Sequence, residues 1–250
     1  NHSTLERNYI RDGFWARNLS EEIPNQGLFV TFIVRIEDVT KQALNGVTKT
    51  MTESERQSAI DKNITGLRKD NKREAYQDNF VRPFFEGNQY FLFVTETYRD
   101  IRLVGAPPSA IGNFGKDTDN WMWPRHTGDF SVFRVYSGPD GRPASYSSGN
   151  IPLKPKYWLP VSLKDLNKGD FTMVFGYPGR TQRYYTSYEV NELLAITNPN
   201  RIKIRGIKQE IWMADMKADH KIDIQYAASY SYSSNYWKYS IGQNMQLEKN

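Results

Sequence analysis

At 250 residues with 38% hydrophobic and 14% aromatic content, the chain is long enough for one large domain or two smaller ones, and its Tyr, Phe and Trp favour β-rich packing. A formal charge of +5, from 33 Lys and Arg against 28 Asp and Glu with no basic block, argues against nucleic acid as a partner. The absence of Cys excludes disulfides and Cys-based zinc sites, and no run of about 18 apolar residues is present to span a membrane.

In chain order, the β-rich run Leu28–Ile36 between Gly27 and Glu37 predicts a strand. Thr52-Glu53-Ser54-Glu55 fits a capping box, and Ile60, Ile64 and Leu67 follow at helical spacing. The charged stretch Arg68–Glu74 is expected to continue that helix as a solvated face. Phe91–Val94 and Ile101–Val104 flank Thr97–Asp100 like the arms of a hairpin. From Gly105 to Gly128 periodicity disappears, broken by Pro107, Pro108, Gly112, Gly115 and Pro124, and irregular segments this long are usually functional.

Strand pattern returns at Phe130–Tyr136, before a turn at Ser137–Gly141 and a loop to Leu159. A further strand is predicted at Phe171–Phe175, ending in Gly176-Tyr177-Pro178-Gly179. After Arg180, Val190, Leu193 and Leu194, then Ile204, Ile207, Ile211, Ala214 and Ala218, recur every three or four residues, so this half is helical, with Asn198-Pro199-Asn200 as a break. A domain boundary is placed near residue 183, giving segments 1–183 and 184–250. The start at Asn1, with no initiator Met and no signal-peptide pattern, is expected of an internal piece of a longer protein.

Asp129 opens the alternating run Phe130-Ser131-Val132-Phe133. A carboxylate at a strand mouth lies at the core's edge, where it needs donors, and histidine is a natural one. Trypsin-like proteases place their triad acid in this setting; the plainer alternative is an Asp that forms a turn before a strand. Pro160–Leu163, Asn167–Asp170 and the strand ending in Gly179 follow in an order that resembles the closing strands of the first barrel of bacterial trypsin-like proteases.

Four stretches carry a closer resemblance: HSTLERNYIRDGFWA at 2–16, DNWMWPRHTGDFSVFRVY at 119–136, GYPGRTQRY at 176–184 and SSNYWKYSIG at 233–242. In these the chain resembles the dipeptidyl-peptidase 7 and 11 family of bacterial serine exopeptidases. The resemblance implies a mainly β fold with α, a trypsin-like double β-barrel carrying an inserted α-helical domain. Residues 1–183 would then belong to the barrel domain and 184–250 to the start of the insertion. The implied activity is release of dipeptides from the free N-terminus of peptides, in the periplasm or at the surface of a Gram-negative bacterium. No cofactor or metal is expected, and the family pattern suggests a homodimer that no residue here identifies.

The resemblance makes Asp129 the triad acid. It puts the triad His in a TNHHCG motif upstream of Asn1 and the nucleophilic Ser in a GNSGSP motif beyond Asn250; neither motif occurs in these residues. An exopeptidase that counts two residues must also hold the substrate's α-ammonium with oriented acceptors and a wall. An amide oxygen and an indole suit this need, and the family's matching residues are Asn120, Trp121 and, from the helical domain, Asn235. Trp123 is expected to pack its loop onto the barrel instead, and His126 to be structural because its tether to Asp129 is short. His2 and His220 lack ligand-spaced partners, which argues against metal binding. Ser147-Ser148-Gly149-Asn150 superficially resembles a nucleophile loop, but lies in a polar connection in the wrong order. The alternative of another class is a non-catalytic, aromatic-rich module for peptide, sugar or nucleic acid around Tyr230–Tyr239. Against it, Tyr226, Tyr230 and Trp237 share the spacing of one packed helix face.

Overall fold

A computed structural model describes residues 2–115, 122–124, 126–174, 176, 182 and 184–249. The chain divides into two compact units. One comprises Trp15–Gly105 and Ser131–Tyr157; the other comprises Asn1–Phe14, Ala106–Phe130 and Trp158–Asn250. The fold combines β-sheet with helices: two antiparallel sheets dominate the first unit, and the two longest helices belong to the second.

In the first unit, β3 (Val30–Asp38), β5 (Gln89–Tyr98) and β4 (Gln77–Phe84) form a sheet with β5 in the middle. Successive side chains of β5 alternate between faces. Tyr90, Leu92 and Val94 point to one face, where they meet Val39, Ala43 of the short helix α2 (Thr40–Ala43) and Ile60 in the core. Ile60 comes from α3 (Glu53–Asp70), whose expected capping box is formed: Thr52 Oγ1 accepts from Glu55 N at 3.4 Å and Glu55 Oε2 accepts from Thr52 N at 2.9 Å. The helix ends at Asp70 rather than running on to Glu74. Asn71 is extended, and Arg73 Nη1 donates to Arg68 O and Asn71 O, taking carbonyls that a further turn would need.

The second sheet runs β1 (Phe14–Trp15), β6 (Asp100–Ala106), β7 (Val132–Ser137) and β8 (Ile151–Pro152), with β2 (Ile23–Pro24) also on β6. The predicted hairpin of Phe91–Val94 with Ile101–Val104 is therefore not formed: β5 and β6 lie in different sheets. The chain changes sheets at Arg99, beside Asp100, whose buried carboxylate is claimed by Arg102 and Asn150. β6 pairs with β7 antiparallel, with Asp100 opposite Tyr136 and Leu103 opposite Phe133.

In the second unit, α4 (Ser109–Gly112) interrupts the loop after β6, and α1 (Tyr9–Asp12) is capped by Asn8 Oδ1, which accepts from Arg11 N. Gly13 follows with φ +73°, and a Cβ there would lie 2.8 Å from Pro108 N, so only glycine fits. The predicted strand at Phe171–Phe175 is absent over its described residues 171–174, which run without a ladder partner, Phe171 88% exposed. A strand pattern becomes a strand only against a paired edge.

Helix α5 (Ser187–Glu192) leads through a wide π turn (Leu193–Thr197) into α6 (Asn198–Ala218), and α7 (His220–Leu247) returns antiparallel to α6. Asn198-Pro199-Asn200 is therefore not a break. Pro199 lacks an N–H, and the i→i+5 bond from Asn198 N to Leu193 O shows how the preceding turn widens to accommodate it. No helix among the described residues is long and apolar enough to cross a membrane.

Candidate active site

Asp129 sits three residues before β7, in a segment without regular secondary structure whose backbone is tied down just upstream. Gly128 N donates to Ile111 O at 3.0 Å, and Thr127 Oγ1 donates to Phe114 O at 3.0 Å. A Cβ on Gly128 would meet Ile111 Cγ2 at 3.0 Å, so the segment lies close against α4. The His126 ring stands edge-on to Phe114, centroids 6.2 Å apart, as a structural histidine would.

The Asp129 side chain is exposed, and among the described residues no hydrogen bond or ion pair reaches its carboxylate. The chain is tied at Thr127 and Gly128, while the Asp129 side chain is open to a donor.

Asn120 and Trp121 lie outside the described residues. Asn235 lies exposed on α7, beside the buried Ser233 and Ser234. No hydrogen bond joins Asn235 to Asp129. Trp123 is 83% exposed and so does not pack its loop down as expected; its bond to Pro124 is cis. His220 does have a carboxylate neighbour, since one helical turn brings Asp223 Oδ2 to 3.8 Å from Nδ1, while its Nε2 lies 3.2 Å from Asn8 Nδ2. That pair is too small for a metal, and no cluster of three or more His, Asp or Glu exists among the described residues. In the Ser147–Asn150 turn, Ser147 Oγ accepts from Gly149 N at 3.2 Å and Asn150 Nδ2 donates to Asp100 Oδ2 at 2.9 Å, so the turn is built for structure.

Sequence reasoning missed two buried carboxylates that anchor the strands of β7's sheet. Glu22 accepts from Arg134 Nε at 2.7 Å and from Tyr136 OH at 2.8 Å. Burial, with Glu22 as a second cause, raises the Tyr136 phenol above its ordinary value. Asp100 accepts two hydrogen bonds from Arg102, at 3.0 and 2.8 Å, and Arg102 lies 3.6 Å above the Tyr136 ring. Burial alone would raise the Asp100 carboxyl, but the guanidinium and the Asn150 amide outweigh it and hold it below the ordinary range. Asp100 and Arg102 two apart in a strand was the one available signal; nothing local marks Glu22.

Of the residues expected to act in catalysis, the described structure shows Asp129 alone, with its carboxylate exposed. The peptidase S46 family model matches residues 1–250. The chain is 53% identical over 248 residues to the Asp/Glu-specific dipeptidyl-peptidase of Capnocytophaga gingivalis, covering 99% of this chain and 35% of that protein. It is 45% identical over 256 residues to dipeptidyl-peptidase 7 of Phocaeicola vulgatus, covering 100% of this chain and 35% of that protein. The crystal structure of Porphyromonas endodontalis DPP11 in complex with the dipeptide Arg-Glu superposes with a TM-score of 0.86 at 42% identity, over 99% of this chain and 36% of that one. The chain spans about 35% of the length of these curated relatives. Matched from end to end by the family's pattern, the chain belongs to the peptidase S46 family.

Proposed function

We propose that these residues are part of a serine dipeptidyl-peptidase that releases dipeptides from the free N-terminus of oligopeptides, with Asp129 as the triad acid. The observation that carries this reading is Asp129 itself: an exposed carboxylate three residues before β7, directly after the tied-down Thr127 and Gly128, with no partner among the described residues. Such a group accepts the Nδ1–H of an imidazole, holds the tautomer that leaves Nε2 free to take the nucleophile's proton, and stabilises the imidazolium that forms. The imidazole and the serine come from the TNHHCG and GNSGSP motifs, which these 250 residues do not contain.

Asn120, Trp121 and Asn235 hold the substrate's ammonium in the same reading, two acceptors and one π face. It also takes residues 1–183 as part of a trypsin-like double barrel and 184–250 as the start of an inserted helical domain. The complete protein is a homodimer that works in the periplasm or at the cell surface of a Gram-negative bacterium. The aromatic module is disfavoured: Tyr226 packs on Trp212 at 5.7 Å and Trp237 Nε1 donates to Ile202 O at 3.0 Å, so these rings serve helix packing.

The test is Asp129→Asn in the natural chain that contains these residues, assayed on dipeptidyl substrates. Loss of the correct tautomer is expected to cost about four decades of turnover. Retention of more than about a tenth of the activity would remove Asp129 from the triad.

A further inference from the structure

Between α6 and α7 lies an open cleft of about 520 Å³ that the peptidase reading does not use. Arg205 and Lys208, three residues apart on α6, project from one face into it. The Arg205 guanidinium lies 5.2 Å from the Tyr236 ring centre and 5.9 Å from that of Tyr232, and Lys208 Nζ lies 4.2 Å from the Trp212 ring centre. Rings hold both cations in place without neutralising them. Among the described residues, no carboxylate lies within ion-pair distance of either. Arg205 Nη1 makes one long contact to Ser233 O, at 3.4 Å, which leaves most of its donors unused.

We propose that this cleft binds a carboxylate-bearing segment of peptide, with Arg205 and Lys208 as the groups that take the carboxylate. Two fixed cations three residues apart suit the two oxygens of one carboxylate. A cleft of about 520 Å³ accommodates a few side chains but not a run of nucleotides. Nucleic acid is further disfavoured because Lys208 already lies over one face of Trp212 and Arg205 over one face of Tyr236. Asn235 lies one helical turn from Tyr232, on the same side of α7, so the cleft lies beside Asn235. The proposal stands on the cleft's own charge, however, and does not require Asp129 to be catalytic.

The test is equilibrium binding to the natural chain containing these residues. The probes are N-acetyl-Glu-Glu-Glu amide and N-acetyl-Gln-Gln-Gln amide, neither of which has an ammonium to engage Asn120 or Asn235. The acidic probe is expected to bind about tenfold more tightly, and less so at high salt. Lys208→Met keeps an unbranched stem on Trp212 but lacks the charge; it should weaken the acidic probe by about three- to tenfold and leave the Gln probe unchanged. Lys208→Arg should restore binding. An acidic probe indifferent to Lys208→Met overturns the site. Equally tight binding of inorganic phosphate would show a free-anion site instead of a peptide site. Oligothymidylate binding more tightly, and lost in Lys208→Met, would make it a nucleic-acid surface; either result overturns the proposal. Asp129→Asn should abolish turnover and leave this binding intact, which separates failure here from failure of the peptidase reading.

Discussion

Asp100→Asn removes a charge and keeps a shape, so it isolates what the buried carboxylate contributes. The wild-type group is fully buried and accepts from Arg102 Nε at 3.0 Å, Arg102 Nη2 at 2.8 Å and Asn150 Nδ2 at 2.9 Å. Asn would offer one acceptor oxygen and turn an NH₂ towards groups that are already donors. The Arg102 side chain, only 11% exposed, would keep its charge without its counter-ion. Breaking a buried pair in this way costs about 3–5 kcal/mol. The Tyr136 ring 3.6 Å below Arg102 and its 3.2 Å bond to Ser147 O remain, so the low end, about 3 kcal/mol, is expected. Since Asp100 and Arg102 lie opposite Tyr136 and Arg134, the loss should fall on the pairing of β6 with β7. Hydrogen exchange of those amides in the natural chain reads it directly, and about 3 kcal/mol corresponds to roughly two decades of protection. A change below about half a decade would mean that the Asp100–Arg102 pair does not hold the strands together.

The same carboxylate fixes an acid dependence. Its pKa is lowered on folding, so it stabilises the fold above the unfolded value of about 3.9 and loses that contribution as pH falls through the folded value. Urea unfolding should therefore show the gap between wild type and Asp100→Asn narrowing as pH falls below about 3.9, and a gap that holds constant or widens on acidification would contradict the argument. Gly105→Ala would put a Cβ 2.3 Å from Trp15 Cε3; because Trp15 is 56% exposed its ring can swing outward, at a cost of about 1–3 kcal/mol. A shift in Trp fluorescence should accompany it, and unchanged stability and fluorescence would refute the contact. Asn235→Ala should lower kcat/KM on free-amine dipeptidyl substrates by about one to two decades, since a hydrogen bond to a charged group is worth about 1.5–3 kcal/mol. N-acetylated substrates should be poor for wild type and little affected by the variant; equal cleavage of free and acetylated substrates would return Asn235 to packing.

Local patterns proved legible where local physics decides. The capping box at Thr52 and Glu55 needs only neighbours, and it formed. The β-rich run at Leu28–Ile36 became Val30–Asp38, two residues late, because pairing with β5 sets the ends. The acid before a strand was visible as Asp129, though the ladder begins only at Val132. Non-local events were invisible. Nothing near Arg99 says that β5 and β6 enter different sheets, because the partners that decide it, such as Asn150, lie far along the chain. The strand at Phe171 failed for the opposite reason: its pattern is right, but its described residues 171–174 pair with no strand. Asn198-Pro199 looked like a stop because Pro usually is one, yet a widened turn lets the helix pass.

The seam between α6 and α7 is unusually polar, and this governs how the two helices can move. Asn198, wholly buried, donates to Gln243 Oε1 at 3.0 Å and Asn244 Oδ1 at 2.8 Å; farther along, Arg201 reaches Ser240 Oγ and Gln209 reaches Ser233 Oγ, both at 3.4 Å. Greasy surfaces slide over one another cheaply, because dehydration has no direction. A row of matched donors and acceptors does not slide, since a slip of one turn, about 5.4 Å, would unmake every match at once and leave buried amides bare. The seam therefore favours one register of the two helices over a slip of a turn.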